Sequence, residues 1–163
     1  MSVSEAADII GVIAGMAVNF GDVAPTIKAL DDAPSKVETA QLPIRIIIPV
    51  QPRMDTREMQ FITIGQGAKM AYLISDLLLI KALGNGPILV GEKMADMVNY
   101  SRRYMRAVQT TMGNVPGRVM MKEVLLDRAE SQPGIWEYPE GSGNYYKGVL
   151  CMLTLVEFLP LGS

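Results

Sequence analysis

Two stretches of this chain are apolar on both of their alternating faces, and they constrain the fold more than any other feature. Met70 to Ala82 puts Met70, Tyr72, Ile74 and Leu78 on one side of an extended strand and Leu73, Leu77 and Leu79 on the other. Tyr145 to Phe158 repeats the pattern, with Val149, Cys151, Leu153 and Leu155 against Leu150, Met152, Val156 and Phe158. Successive side chains of a strand point to opposite faces, so a strand apolar on both belongs inside a sheet that is covered on both sides. Asp76 and Lys81 interrupt the first stretch, which argues against a membrane span there.

The remaining elements are arranged around these two strands. Val3, Ala6, Ile10, Ile13, Ala17 and Phe20 step by three and four behind Ser2 or Ser4, which predicts an amphipathic first helix. From Gly21 to Leu42 the pattern breaks around Pro25 and Pro34, with Asp31 and Asp32 between them, and reads as a long loop. Ile44 to Ile48 is a short β-branched strand, followed by a turn around Arg53, Met54 and Asp55. Arg57 to Ile64 alternates and pairs as a hairpin with the strand starting at Met70.

Beyond the Gly84-Asn85-Gly86-Pro87 turn, a second helix is predicted from about Glu92 to Met112. Its buried stripe is read as Met94, Met97, Val98, Tyr104, Met105, Val108 and Met112, and its wet face as Lys93, Asp96, Asn99, Arg102, Arg103 and Arg106. Val119 to Asp127 alternates as a further strand. Residues 128–144 form a turn-rich loop with a short edge strand near Ile135 to Tyr138. This order predicts an α+β fold for residues 1–163 as a single domain: an antiparallel-dominated sheet of four to five strands with two main helices packed on one face.

Composition narrows the chemistry. The 163 residues include no histidine and one cysteine, which excludes a Ser-His-Asp triad, a Cys-His pair and the histidine-based zinc sites. No catalytic, metal or cofactor residue is therefore assigned. Lys and Arg number 15 against 17 Asp and Glu, so no basic excess is available for a row of phosphates, and specific nucleic-acid binding is not expected. Cys151 lies in an apolar run and suits a reducing compartment. Glu5 and Asp8 stand where an export signal would carry cations, and the apolar stretch Ile9 to Val18 is too short to span a bilayer.

Several local patterns read more simply than they first suggest. Gly65-Gln66-Gly67-Ala68-Lys69 lacks phosphate-loop spacing and precedes a strand rather than a helix. Asp31, Asp32 and Glu38 match no cation-loop spacing. Arg102, Arg103 and Arg106 read first as a solvated helix face and second as a docking surface for an acidic neighbour. Trp136, Tyr138, Tyr145 and Tyr146 read as strand packing or protein interface. A mean hydropathy of +0.21 calls for more burial than two helices supply, which subunit contacts would add.

Taken together, the segments resemble the tail terminator proteins of long-tailed bacteriophages. The resemblance rests on Ala33-Pro-Ser-Lys-Val-Glu-Thr-Ala-Gln-Leu-Pro43 before the first strand, the hairpin with its apolar second strand, and the helix bearing Tyr100 and Tyr104. It also rests on the strand Val119 to Asp127 and on the closing Tyr145-Tyr-Lys-Gly-Val-Leu-Cys-Met-Leu-Thr-Leu-Val-Glu157. It implies a non-enzymatic virion protein of the tail and neck, assembled in the host cytoplasm. Such a subunit forms a homo-oligomeric ring, commonly a hexamer, that caps the tail tube and stops its polymerisation. Its partners would be further copies of itself, the tail tube protein and the head-tail connector or head completion protein, with no membrane partner and with the genome passing through the ring.

A neighbouring neck protein or a tube subunit is the alternative within this class, and a small-molecule-binding or carboxylate-using enzyme domain the alternative outside it. Ring closure needs one patch to meet a different patch on the next copy. The loops at 21–42, 50–57 and 128–144 are the expected contact regions. Arg53, Asp55 and Arg57 are candidate charge partners, joined by Asp31, Asp32, Arg102, Arg103, Arg106, Trp136 and Tyr138.

Overall fold

The computed structural model describes residues 6–29, 32–49, 60–63, 67–84, 93–114, 119–127 and 134–159. In chain order these form α1 (Ala6–Ala14), β1 (Thr26–Ala29), a short 3-10 turn (Thr39–Gln41), β2 (Ile44–Pro49), β3 (Gln60–Thr63) and β4 (Gly67–Ala82). They continue as α2 (Met94–Asn114), β5 (Val119–Asp127), β6 (Ile135–Glu137) and β7 (Tyr145–Leu159). The two strands apolar on both faces are β4 and β7, and they pair antiparallel from Ala68↔Leu159 to Ala82↔Tyr146. At about 3.3 Å per residue this central pair runs roughly 50 Å. The order across the sheet is β1-β2-β4-β7-β5, with β3 added on β4 and β6 on β7. Only β1 and β2 run parallel; the other five pairings are antiparallel. The fold is the expected α+β arrangement.

Strand parity sorts the core into two layers. Ile47, Ile74, Leu78, Val149, Cys151 and Leu153 face Ile10 and Ile13 of α1 and Met97, Tyr100, Tyr104 and Val108 of α2, so both helices pack on one face. Ile44, Ile46, Leu79 and Tyr146 face the other way, beneath Val37, Ala33, Leu42, Trp136 and Tyr138. That second face is covered by the connection from β1 to β2 and by the β6 region. A parallel pair needs a crossover connection, commonly a helix; here a proline-bearing loop supplies it.

Three details differ from the sequence reading. The first helix ends at Ala14, and Met16, Val18 and Phe20 enter the core from non-helical backbone. Gly11 and Gly15 weaken helix continuation, the Met16 N–H closes a tight last turn onto the Ile13 carbonyl at 3.1 Å, and a side chain donates to the carbonyls of both Ile13 and Met16. Residues 21–42 contain the strand β1, whose four residues are too few to show a period and whose partner begins at Ile44. In α2, Tyr100 takes the buried position expected of Val98, which is 58% exposed. The stripe is rotated toward the tyrosines, and the Tyr100 ring packs between Phe20 and Tyr104.

β4 and β7 approach closely at Gly148. A Cβ built there would lie 2.2 Å from the Leu78 carbonyl oxygen, so no other residue fits without displacing backbone. The Gly148 N–H donates to the Gly134 carbonyl at 2.8 Å, and its carbonyl accepts from the Trp136 indole at 3.2 Å. The close approach thereby ties β6 to the central pair.

Candidate functional site

Each of the β-rich segments around Ile46 and Leu77 contains one charged residue, Arg45 between Ile44 and Ile46 and Asp76 between Ser75 and Leu77. In the β2–β4 ladder Arg45 is opposite Leu78 and Ile47 opposite Asp76, which makes Arg45 and Asp76 diagonal neighbours on the helix-covered face. Both side chains are 0% exposed. The guanidinium grips the carboxylate with two bonds, Nη2 to Oδ2 at 2.6 Å and Nε to Oδ1 at 3.2 Å, the bidentate geometry that suits Arg best.

The remaining donors are directed at the end of α1. Nη1 donates to the Met16 carbonyl at 2.7 Å and Nη2 to the Ile13 carbonyl at 3.2 Å. Carbonyls at a helix C-terminus lack intrahelical partners and carry partial negative charge, so a cation there is favourable. On the other side the Tyr104 hydroxyl donates to Asp76 Oδ2 at 2.7 Å, and the guanidinium carbon lies 5.9 Å from the Tyr104 ring centroid. Tyr100 stacks obliquely between Tyr104, at 6.1 Å, and Phe20, at 6.3 Å. Its hydroxyl is buried and has no hydrogen-bond partner among the described residues.

The electrostatics follow from this enclosure. Burial disfavours the Arg45 charge, but the hydrogen bonds and attraction of Asp76 outweigh it and hold the guanidinium charged more firmly than in water. Burial first, and the Asp76 charge second, push the hydroxyls of Tyr100 and Tyr104 well above the usual tyrosine range. Burial likewise raises the Cys151 thiol, so the cysteine is a packing residue rather than a nucleophile. The constellation joins α1, β2, β4 and α2 through fixed charges that solvent does not reach. It anchors the helix layer to the sheet.

The residues expected at interfaces take different positions. Arg103 donates to the carbonyls of Gly21 at 2.9 Å and Asn19 at 3.4 Å, clasping the segment after α1. Arg102 and Arg106 are exposed on α2, and Asp32 is exposed at the start of the crossover loop. Trp136 and Tyr138 are half-buried and pack within the chain. The Tyr138 hydroxyl, raised above its ordinary pKa by partial burial, donates to the Pro34 carbonyl. Asp31, Arg53, Asp55 and Arg57 lie outside the described residues. Among those described, no three or more His, Cys, Asp and Glu side chains are grouped to hold a metal, and no helix is long and apolar enough to cross a membrane.

The Arg45–Asp76 pair is what the sequence reading missed as a site. Its signal is present in the sequence: a lone Arg within Ile44 to Ile48 and a lone Asp within Ile74 to Leu79, the sole charges of two mostly apolar strand segments. No protein-family model matches this chain, and no curated protein is significantly similar to it.

Proposed function

We propose that this chain is a ring-forming subunit of a bacteriophage tail, a terminator that caps the tube and presents the surface for the head connector. The observation that carries this reading is the meeting of its two most telling sequence segments. The run from Ala33 to Pro43 and the closing strand from Tyr145 pack on the same sheet face, where the Tyr146 hydroxyl donates to the Val37 carbonyl at 3.3 Å and Val37, Leu42 and Tyr146 share one core. Two of the segments that carry the resemblance are thus parts of one packed cluster. A subunit of this kind acts through surfaces, and the fixed charges found here serve the fold.

Native mass spectrometry and negative-stain microscopy of the purified protein test the reading. A single closed ring, with a mass about six times the 17.8 kDa of one chain, is expected, and adding it to assembling tail tube protein halts tube growth. Indefinite stacking of the protein by itself would identify a tube subunit instead. A ring that leaves tube length unchanged would identify another neck component.

A further inference from the structure

Two exposed surfaces of the chain differ in charge. The helix layer presents α2, which holds Arg102, Arg103 and Arg106 against a single acid, Asp96. Arg103 is used within the chain. Arg102 and Arg106 stand one helical turn apart on the outward face, in line with the exposed Val98, and neither meets a carboxylate among the described residues. The loop over the opposite face, residues 32–43, and the adjoining hairpin of β6 and β7, residues 134–144, carry four carboxylates, Asp32, Glu38, Glu137 and Glu140, and one lysine, Lys36. Lys36 pairs with Glu38 at 3.4 Å and Glu137 accepts the Gly143 N–H, leaving Asp32 and Glu140 as exposed charges. The hydrogen bond from Tyr138 to Pro34 holds their two segments together.

We propose that the Val98–Arg102–Arg106 stripe of one copy docks on the Asp32 and Glu140 surface of a second copy of this chain. The charge complementarity of the two surfaces selects this occupant. The two patches are different surfaces, so each copy offers one of each, and the contact is head-to-tail, the kind that closes a ring or extends as a filament. The inference rests on the ring reading above and gives it a specific interface. Exposed ion pairs are screened by salt, so assembly loosens as ionic strength rises.

The test uses two charge-reversed variants of the full chain, R102E/R106E and D32K/E140K, followed by analytical ultracentrifugation at low salt. All four positions are exposed, and unchanged circular dichroism and thermal midpoint verify the fold. Each variant alone is expected to weaken self-association by about tenfold or more, since like charges then face each other. An equimolar mixture restores it, because alternating copies place opposite charges at every contact. If both variants assemble as the wild type does, the contact is overturned while the ring reading stands. Head-to-tail association that never closes supports the contact and overturns the terminator reading. A wild type that is monomeric at every concentration overturns both. Loss of retention on duplex DNA in R102E/R106E, with assembly unchanged, overturns the contact and assigns the stripe to nucleic acid.

Discussion

The two faces of the sheet are sealed by different means. On the helix side, apolar stripes from α1 and α2 enclose an ion pair at the centre, with Arg45 reaching from β2 to the end of α1. On the loop side, no α-helix of the described residues contributes; Val37, Leu42, Trp136 and Tyr138 cover Ile44, Ile46 and Tyr146, and hydroxyls of Tyr138 and Tyr146 bind carbonyls of the covering loop. Regular structure satisfies most of its own backbone, so on the helix side Arg45 and Arg103 donate to carbonyls only where α1 ends and the chain turns. A loop layer must have its carbonyls satisfied from outside, and tyrosines combine apolar cover with that donor.

The largest effect that separates the two faces is expected from Asp76→Ala. It leaves the Arg45 guanidinium buried without its carboxylate, a loss of about 3–5 kcal/mol, measured by urea unfolding. Replacing Arg45 by Met as well should recover part of that loss, because no uncompensated charge then remains buried. A double variant no more stable than Asp76→Ala alone would show that the Arg45 contacts to α1 matter more than the ion pair.

A second effect appears at alkaline pH and belongs to the helix side. Cys151 has an ordinary pKa of 9.0 and Tyr100 and Tyr104 ordinary values of 10.0, all raised in the folded chain, so the folded state keeps protons that the unfolded chain releases. The stability they contribute is full below about pH 9 and is lost as pH rises toward the raised folded values, with a slope of up to about 1.4 kcal/mol per pH unit for each group. Denaturant midpoints measured from pH 7 to 11 check this, and Tyr104→Phe should flatten the alkaline decline. A midpoint flat to pH 11 would contradict the enclosure of these hydroxyls.

The smallest effect lies on the loop side. Tyr138→Phe removes a half-buried hydrogen bond to Pro34 and keeps the ring, a cost of about 0.5–1.5 kcal/mol. It should also raise amide exchange in residues 35–38 while leaving α2 protected. Equal loosening of both layers would mean that they are not separate units.

Much of this architecture is legible in the sequence where one physical pattern dominates. Val119 to Asp127 has the bounds of β5, and the apolar alternation of Ile74, Leu77, Leu78 and Leu79 assigns each residue to the face where it is found. β1 was not legible, since its exposed Thr26 and Ile27 show no alternation and its partner is set by the parallel crossover. The burial of Tyr100 in place of Val98 follows from packing against Phe20, which lies far away in the chain. For the candidate surface, Arg102, Arg106 and Asp32 were readable as charged positions. That they belong to opposite layers of one sheet was not, because only the β2–β4–β7 register defines the layers.

The place of β7 has a consequence for the timing of synthesis. It is the latest of the described strands in the chain, yet it lies between β4 and β5 and also receives β6. A ribosome delivers β4 long before its neighbour, and one edge of a sixteen-residue strand waits unpaired until residues 145–159 emerge. Such edges template aggregation, and non-local pairing of this kind forms slowly. A nascent chain stalled before Tyr145 should therefore engage chaperones, and release of the final strand should free it.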